Sequence, residues 1–515
     1  MKKSRHIVLI LLLSLVMLGV SSAASAGDKS LRFTDVPAQA LTADGKARVI
    51  VGVTVAKYAD LAASAAQFKV IAPGEAKTGR QAAAEAADAA LAAAIAQGAD
   101  AVLSSLPAKS YTVTRTYSAF PFVAISVEAT ALEALRADPR VTSIEIDAPI
   151  PVPVPVPSNG GAGSGKTKGG KTMDGTSQAA PPAAPSAKAA NLNWGPPKVG
   201  ADVAWARGYT GAGWYVAILD TGIRRTHEFF SGKTIVEACY SALGNCPGGA
   251  TSAFGVGSAA HYASTYQSYD HGTHCAGIAT GKKADGSVAG VAKNANLIAI
   301  QVFSITGATS LGSYPSDQLA ALNYVYSLRN TYSIAAASMS LGGGSYTSPC
   351  DSASQKAGVD VLRSVNIATT IATGNNGYCG SIGSPACIST AIAVGASDST
   401  DTETDFNNWD PALQTLFAPG AAVYSSVATS DTSYDSWDGT SMATPHVAGA
   451  WAILRQNRPN DSVTAILDRV VASGQAISTI CDSPLGSRPR LYIPGALLGG
   501  STGSQAGNVL LFLDE

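Results

Sequence analysis

VAILDTGI, residues 216–223, sets four consecutive apolar residues in front of a carboxylate and a glycine turn. A short continuous apolar run bounded by a turn reads as a strand buried on both faces, the kind found in parallel sheets covered by helices. Runs of the same kind recur at 297–302, 336–341, 367–372 and 391–394, separated by longer helical stretches. The fold class expected for residues 191–499 is therefore α/β, with a mostly parallel sheet. In open sheets of this kind functional groups gather at the carboxyl ends of the strands, and Asp220 stands at one such end. Taken alone, Asp220 would serve as well as a turn-forming Asx residue.

Upstream of this unit the chain changes character twice. Lys2, Lys3 and Arg5, an apolar run at 7–20 and Ala24-Ser25-Ala26 have the layout of a secretory signal peptide, 1–26, cleaved after Ala26. The apolar run is shorter than the roughly 20 residues needed to span a bilayer, and no later segment is expected to span one. Residues 27–149 read as a small α+β domain: strands at 48–55, 121–127 and 141–146, an Ala-rich helix at 80–97 and a short helix at 129–138. A Val/Pro alternation at 151–157 follows, then Gly/Ser/Lys and Ala/Pro-rich sequence. Residues 150–190 are expected to be an extended, flexible linker open to proteolysis. Residues 500–515 read as a C-terminal tail.

Composition removes several function classes. The chain has 515 residues, a formal net charge of -1 and 14% charged residues, so it offers no basic surface for nucleic acid or anionic lipid. Seven cysteines in a secreted chain allow disulfides and leave at least one thiol over. Cys239 and Cys246 bracket a short turn and can close a small loop. Cys350, Cys379, Cys387 and Cys481 allow three pairings that sequence does not separate, and Cys275 is the expected free thiol.

The chemistry-bearing stretch is DGTSMATPHVAG, residues 438–449, which puts Ser441 between small residues at the start of a buried helix. A serine hydroxyl needs a base within hydrogen-bond reach and a third group to orient that base. HGTHCAG, residues 271–277, supplies His271 among glycines that permit close backbone approach. A zinc site is not expected there, since the glutamate and the i, i+4 histidine spacing of zinc-protease helices are both absent. For His274 and His446 a hydrogen-bonded structural role is the default.

VAILDTGI, HGTHCAG, SLGGG (340–344), GNN (374–376) and GTSMATPHVAG (439–449) resemble, in this order, the motifs of subtilisin-like serine proteases, and the cysteine of HGTHCAG points to the proteinase K branch. The resemblance covers roughly 194–494 and implies a three-layer α/β domain preceded by a ferredoxin-like inhibitory propeptide at 27–149, with 117–147 as its second half. Residue by residue it implies Ser441 as nucleophile, His271 as general base and Asp220 as the group that orients it. Asn375 would be the oxyanion-hole side chain, Ser340, Leu341 and Gly342 a substrate-pairing strand, and Gly383 a wall of the specificity pocket. The implied protein is a secreted, monomeric, autoprocessed endopeptidase of broad specificity. It would act on proteins and peptides, bind no nucleic acid, need no cofactor, and be inhibited by its own propeptide. Rival readings are an idle peptide binder, disfavoured by the presence of all four active-site residues, and an α/β-hydrolase-type esterase, disfavoured because only His446 follows Ser441.

Two departures from the family pattern stand out. Asp270 and Asp438 flank the motifs where small residues are usual, and a carboxylate near His271 would raise the imidazole pKa. The family often binds structural calcium, yet residues 413–416 lack the carboxylate expected before Phe417. Asp398, Asp401, Glu403 and Asp405 are the remaining oxygen ligands, although clustered loop acids are more often simply solvated.

Overall fold

A computed structural model of the chain describes residues 29–77, 79–153, 156–157, 193–481 and 487–498. The expected signal peptide, most of the linker beyond 157 and the tail at 500–515 lie outside the described residues.

Eight strands form the central sheet in the spatial order Leu416–Pro419, Ile392–Ser397, Ala368–Ala372, Ile334–Met339, Tyr215–Asp220, Asn296–Gln301, Ile235–Tyr240 and Ser252–Phe254. Every pairing is parallel except the last. The apolar runs read from sequence supply five of these strands, each within three residues at either end. Residues 235–240, 252–254 and 416–419 escaped that reading because their strands are short or broken by polar residues. Helices cover the sheet in a three-layer arrangement.

Two of these helices fix the geometry that matters later. His271–Thr280 is buried throughout, and Thr440–Asn457 is buried from Thr440 to Arg455. Side chains this small let the backbones come close. A Cβ on Gly449 would lie 2.7 Å from the Ala279 carbonyl, and one on Gly277 would lie 2.2 Å from Ser425 Oγ. Gly449 thus sets the separation of the two helices, and Gly277 lets the first of them lie close to strand Val423–Ser426.

Residues 29–147 fold as an antiparallel sheet in the order Tyr111–Thr116, Phe122–Val127, Ala47–Val53, Val141–Ile146, with helices Tyr58–Ala66, Arg80–Leu103 and Ala129–Ala137. One sequence expectation needs correction here. Helix Arg80–Leu103 is long and apolar enough to cross a membrane, with a mean hydropathy of 1.3, because alanine is counted as apolar. In the fold it instead buries Leu91, Ile95, Val102 and Leu103 and pairs Asp88 with the buried Arg329 of the larger unit at 2.7 Å.

The contact between the two units joins an apolar seam, in which Ile50, Tyr117, Phe120 and Ala124 pack into the larger unit's core cluster, to polar contacts aimed at helix starts. Asp147 accepts hydrogen bonds from Ser316 N and Oγ at the start of helix Pro315–Ser327, and Glu145 accepts from Ser354 N just before helix Gln355–Ser364. Arg115 meets the buried Asp317 at 2.7 Å, and Asn323 Oδ1 accepts from Ser118 N and Ala119 N. Carboxylates suit helix N-termini, where unpaired N–H groups and the helix dipole converge. Burial nonetheless pushes Glu145 up to about 7 and Asp317 up to about 6. A carboxyl whose pKa is raised by docking is bound more tightly in its protonated form. Its contribution is present at mildly acidic pH and lost as pH rises through the docked pKa. Docking of residues 29–147 should therefore weaken between about pH 5 and pH 8. In Glu145→Gln the pH dependence should flatten, and thermal unfolding of an uncleavable Ser441→Ala chain across this range would read both effects.

The linker expectation also needs correction at its start. Ile150–Pro151 pairs antiparallel with Leu311–Ser313, and Val156–Pro157 pairs antiparallel with Trp437 and Asp438. Proline is excluded from sheet interiors but tolerated on edges, so a Val/Pro alternation remains able to pair through its valines.

The cysteines resolve as Cys239–Cys246, Cys350–Cys387 and Cys379–Cys481, with Cys275 free and buried.

Candidate active site

Asp220 ends its strand two residues before Gly222, whose φ of +94° and neighbours Ala259 O and Ala260 O leave no room for a Cβ. After strands Ile235–Tyr240 and Ser252–Phe254 the chain returns, and His271, first residue of its helix, comes back over the strand end. Gly272 is needed for that approach, since a Cβ there would sit 2.3 Å from Gly222 O and 3.1 Å from Asp220 Cβ. The result is a buried pair, with His271 Nδ1 2.8 Å from Asp220 Oδ1, an oxygen that also accepts from Thr221 N at 2.7 Å. Burial alone would lower the imidazole pKa, but the Asp220 carboxylate holds it well above the ordinary histidine value.

Ser441 lies in the first turn of helix Thr440–Asn457, where helix geometry leaves its N–H without an intrahelical partner. Its hydroxyl donates to Ser340 O at 3.4 Å, and among the described residues His271 Nε2 has no hydrogen-bond partner. The orienting half of the constellation is thus closed and the hydroxyl–imidazole half is open. Such contacts are often loose without substrate.

Asn375 is held by a lock that sequence did not signal. Its Oδ1 accepts from Thr440 N at 2.9 Å and Thr440 Oγ1 at 2.8 Å. With the oxygen committed, the amide assignment follows and Nδ2 remains as the free donor. Asn375 lines a cavity of ≈ 400 Å³ together with Leu341, Gly342, Gly374, Gly383 and Ser441. Ser340 stands behind it, donating through Oγ to Ser441 O at 2.9 Å. Of the eight residues singled out from sequence, Leu341, Gly342, Asn375, Gly383 and Ser441 line this cleft, Ser340 bonds to Ser441, and the buried Asp220–His271 pair lies near Ser441 through Cys275, whose Sγ is 3.8 Å from His271 Nδ1 and 3.5 Å from Ser441 O. Asn375→Ala should lower kcat by 10²- to 10³-fold, about 3 kcal/mol, with KM little changed, and steady-state kinetics on a peptide ester and amide would check it.

The two unusual carboxylates behave differently. Asp438 accepts from the Ala422 amide, and its raised pKa comes from burial and Asp405, with no contact to His271 among the described residues. Asp270 caps the His271 helix without a side-chain bond to it, and burial pushes it up to about 6 against the opposing pull of His271. His274 stacks on Trp437 at 4.3 Å and His446 bonds to Met442 O, and burial lowers the two to about 3 and about 4. Both are structural.

For a metal, the one grouping of ligand atoms among the described residues is Asp220, His271 and Cys275. It suits an ion poorly, because Nδ1 is already engaged by Asp220 and burial keeps the Cys275 thiol protonated. Three of the four loop acids are also occupied. Asp401 pairs with Arg490 and Lys198, Asp398 accepts from Thr400 and Thr402, and Glu403 accepts from Asn407 and Ile480 N.

Comparison with known proteins agrees with the geometry. Residues 211–481 match the model of the subtilase family. A cuticle-degrading serine protease of Arthrobotrys oligospora is 36% identical over 279 residues, which is 53% of this chain and 60% of that protein. An alkaline protease of Alkalihalobacillus alcalophilus is 32% identical over 67% of this chain and 71% of its own length. Subtilisin Savinase of Lederbergia lenta is 35% identical over 53% of this chain and 87% of its own.

Proposed function

Because this chain belongs to the subtilase family, we propose that it is a secreted serine endopeptidase, made as a preproenzyme, that hydrolyses proteins through an acyl-enzyme at Ser441. His271 takes the Ser441 proton and returns it to the leaving amine. Asp220 fixes the tautomer and stabilises the imidazolium. Asn375 Nδ2 and the Ser441 N–H stabilise the oxyanion. The chemistry uses no metal or cofactor. The single observation that carries this reading is the buried Asp220–His271 pair, 2.8 Å apart, beside a cleft lined by Ser441.

Recognition is main-chain pairing along Ser340, Leu341 and Gly342, with a roomy pocket at Gly383, and this supports broad side-chain specificity. Residues 27–149 act as an inhibitory propeptide, a role supported by their docking on two helix starts beside the cleft. Secretion is supported by the 1–26 pattern and by a relative named as an extracellular serine proteinase, from a Thermus strain, 36% identical over 252 residues. The test is covalent labelling with a phosphonylating serine probe. The processed parent should label stoichiometrically at Ser441 and Ser441→Ala not at all. A parent that hydrolyses no peptide and takes no label would end the reading.

A further inference from the structure

The loop that carries Asn375 lies between strands Ala368–Ala372 and Ile382–Ser384 and turns through left-handed backbone at Gly374, φ +108°, and Gly377, φ +67°. Thr440 fixes the Asn375 side chain, but Nδ2 is placed only as well as the backbone beneath it. The residue that fixes this backbone is Asn408, which the mechanism has not used. Asn408 is fully buried. A carboxamide offers two acceptor and two donor positions, and all four are spent on this one loop. Asn408 Oδ1 accepts from Asn376 N at 2.8 Å and from Tyr378 N at 3.2 Å, while Nδ2 donates to Thr373 O and to Asn376 Oδ1, both at 3.2 Å. The main-chain N–H of Asn408 donates to Gly374 O at 3.0 Å.

These partners bracket Asn375 on both sides, and none of them is Asn375 itself. A flipped amide would set its NH₂ against two N–H donors and its oxygen against the Thr373 carbonyl, so the orientation is forced. The fit is also close, since a Cβ on Gly374 would lie 2.3 Å from Asn408 Nδ2. Asn408 lines the cleft, yet with its amide fully committed it has no hydrogen bond left for a substrate. Its own segment is tied to the central sheet. Gly377 N donates to Phe406 O at 2.7 Å, Trp409 N to Tyr378 O at 2.8 Å and Gly380 N to Trp409 O at 2.7 Å. Next to it, Asn407 Oδ1 accepts from Thr373 Oγ1 at 3.2 Å and from Ala396 N at 3.0 Å, and Trp409 stacks on Phe417 with ring centroids 5.2 Å apart. Residues 406–409 thus carry the position of the sheet to the loop.

We propose that Asn408 is a positioning residue for the oxyanion site: through the backbone of residues 373–378 it holds Asn375 Nδ2 where negative charge develops, and so acts on the chemical step and not on substrate binding. The inference rests on the endopeptidase reading and deepens it. A donor stabilises a developing charge only if it is aimed beforehand at the place the oxyanion will occupy. A displacement of about 1 Å, caused by a residue that touches no reacting atom, can cost about 10²-fold in rate. Asn408 meets the condition for such an effect, because its side chain bonds to the loop that carries the donor and to nothing else.

The experiment is a double-mutant cycle of parent, Asn375→Ala, Asn408→Leu and the two together, each processed by a tagged parent that is then removed, with active sites counted by the phosphonylating probe. Ser441→Ala treated in the same way sets the background. Asn408→Leu should lower kcat about 10²-fold and leave KM within about threefold of the parent. It should weaken a peptide boronate, whose tetrahedral adduct on Ser441 sets an oxygen on the oxyanion donors, by a similar factor, with the affinity for the cleaved product unchanged. Added to Asn375→Ala it should lower kcat by less than about threefold, because the donor it serves is already gone. Asn408→Asp keeps the two accepted bonds and loses the two donated ones, so its kcat should fall by about 10-fold, and the same cycle run with it decides the matter if the leucine variant does not fold. Losses that multiply across the cycle, or a loss carried by KM, overturn this inference and leave the endopeptidase reading standing. A parent that takes no label and hydrolyses no peptide would instead overturn that reading, and this inference with it.

Discussion

Ser441→Ala should lower kcat of the processed enzyme by on the order of 10⁶-fold while KM stays within a few-fold of the parent. The structure explains why the loss should be confined to the chemical step. The hydroxyl makes one long bond of 3.4 Å to Ser340 O, and Ser441 is otherwise held by its helix and by Ser340 Oγ on its carbonyl. Alanine keeps the backbone, the helix start and the cavity, so substrate should bind as before. What remains is the oxyanion site, Asn375 Nδ2 with the residue-441 N–H, which sustains roughly 10³- to 10⁴-fold acceleration over water in the absence of a nucleophile. His271→Ala added to this background should cost little more, because base and nucleophile act as one unit. Single-turnover and steady-state rates on an activated peptide substrate measure both effects. A loss below about 10²-fold would mean that another group attacks.

Much of this arrangement was legible in the chain before any coordinates. Asp220 is visible because a run buried on both faces has to be apolar, so a carboxylate closing it marks the strand end. His271 and Gly272 are visible for a related steric reason, since the helix start can rest on that strand end only if residue 272 has no Cβ. Local signals of this kind survive in sequence because the constraint lies within a few residues.

Relations between distant segments were not legible. Four cysteines allowed three pairings, and only folding brings Cys379 to Cys481 across 102 residues. The side chain that aims Asn375 belongs to Thr440, 65 residues away, and a threonine beside a serine announces nothing. Whether Asp438, adjacent to the motif, would approach the imidazole could not be read locally, and its strand turns it toward Ala422. The Val/Pro alternation was read as free linker because proline is excluded from helices and from sheet interiors. The rule holds for both edges together and not for one, and partners were waiting at 311–313 and 437–438. Those partners were themselves too short to be recognised as strands.

Asp220→Asn should reduce kcat/KM by about 10⁴-fold and move the acid limb of its pH profile to lower pH. In the parent a single oxygen, Oδ1, accepts from both Thr221 N and His271 Nδ1, and Oδ2 has no partner among the described residues. An asparagine must choose between two poor arrangements. With its oxygen at the Oδ1 position both bonds persist, but a buried NH₂ is left without an acceptor and the negative charge is gone. With the amide flipped, the NH₂ faces Nδ1, forces the proton to Nε2 and leaves no lone pair to receive the Ser441 proton. Both arrangements remove the charge that outweighs burial and holds the imidazole pKa well above its ordinary value. The sign follows directly. A base with a raised pKa is protonated and idle at lower pH and becomes competent as pH rises through that value, so removing the cause of the elevation shifts the limb downward. A structural role for Asp220 would lower the rate without moving the limb. The pH profile of kcat/KM, measured with tight-binding titration of active sites, therefore separates the two: a 10⁴-fold loss with an unmoved limb would refute the electrostatic role assigned to Asp220 and leave only a positional one.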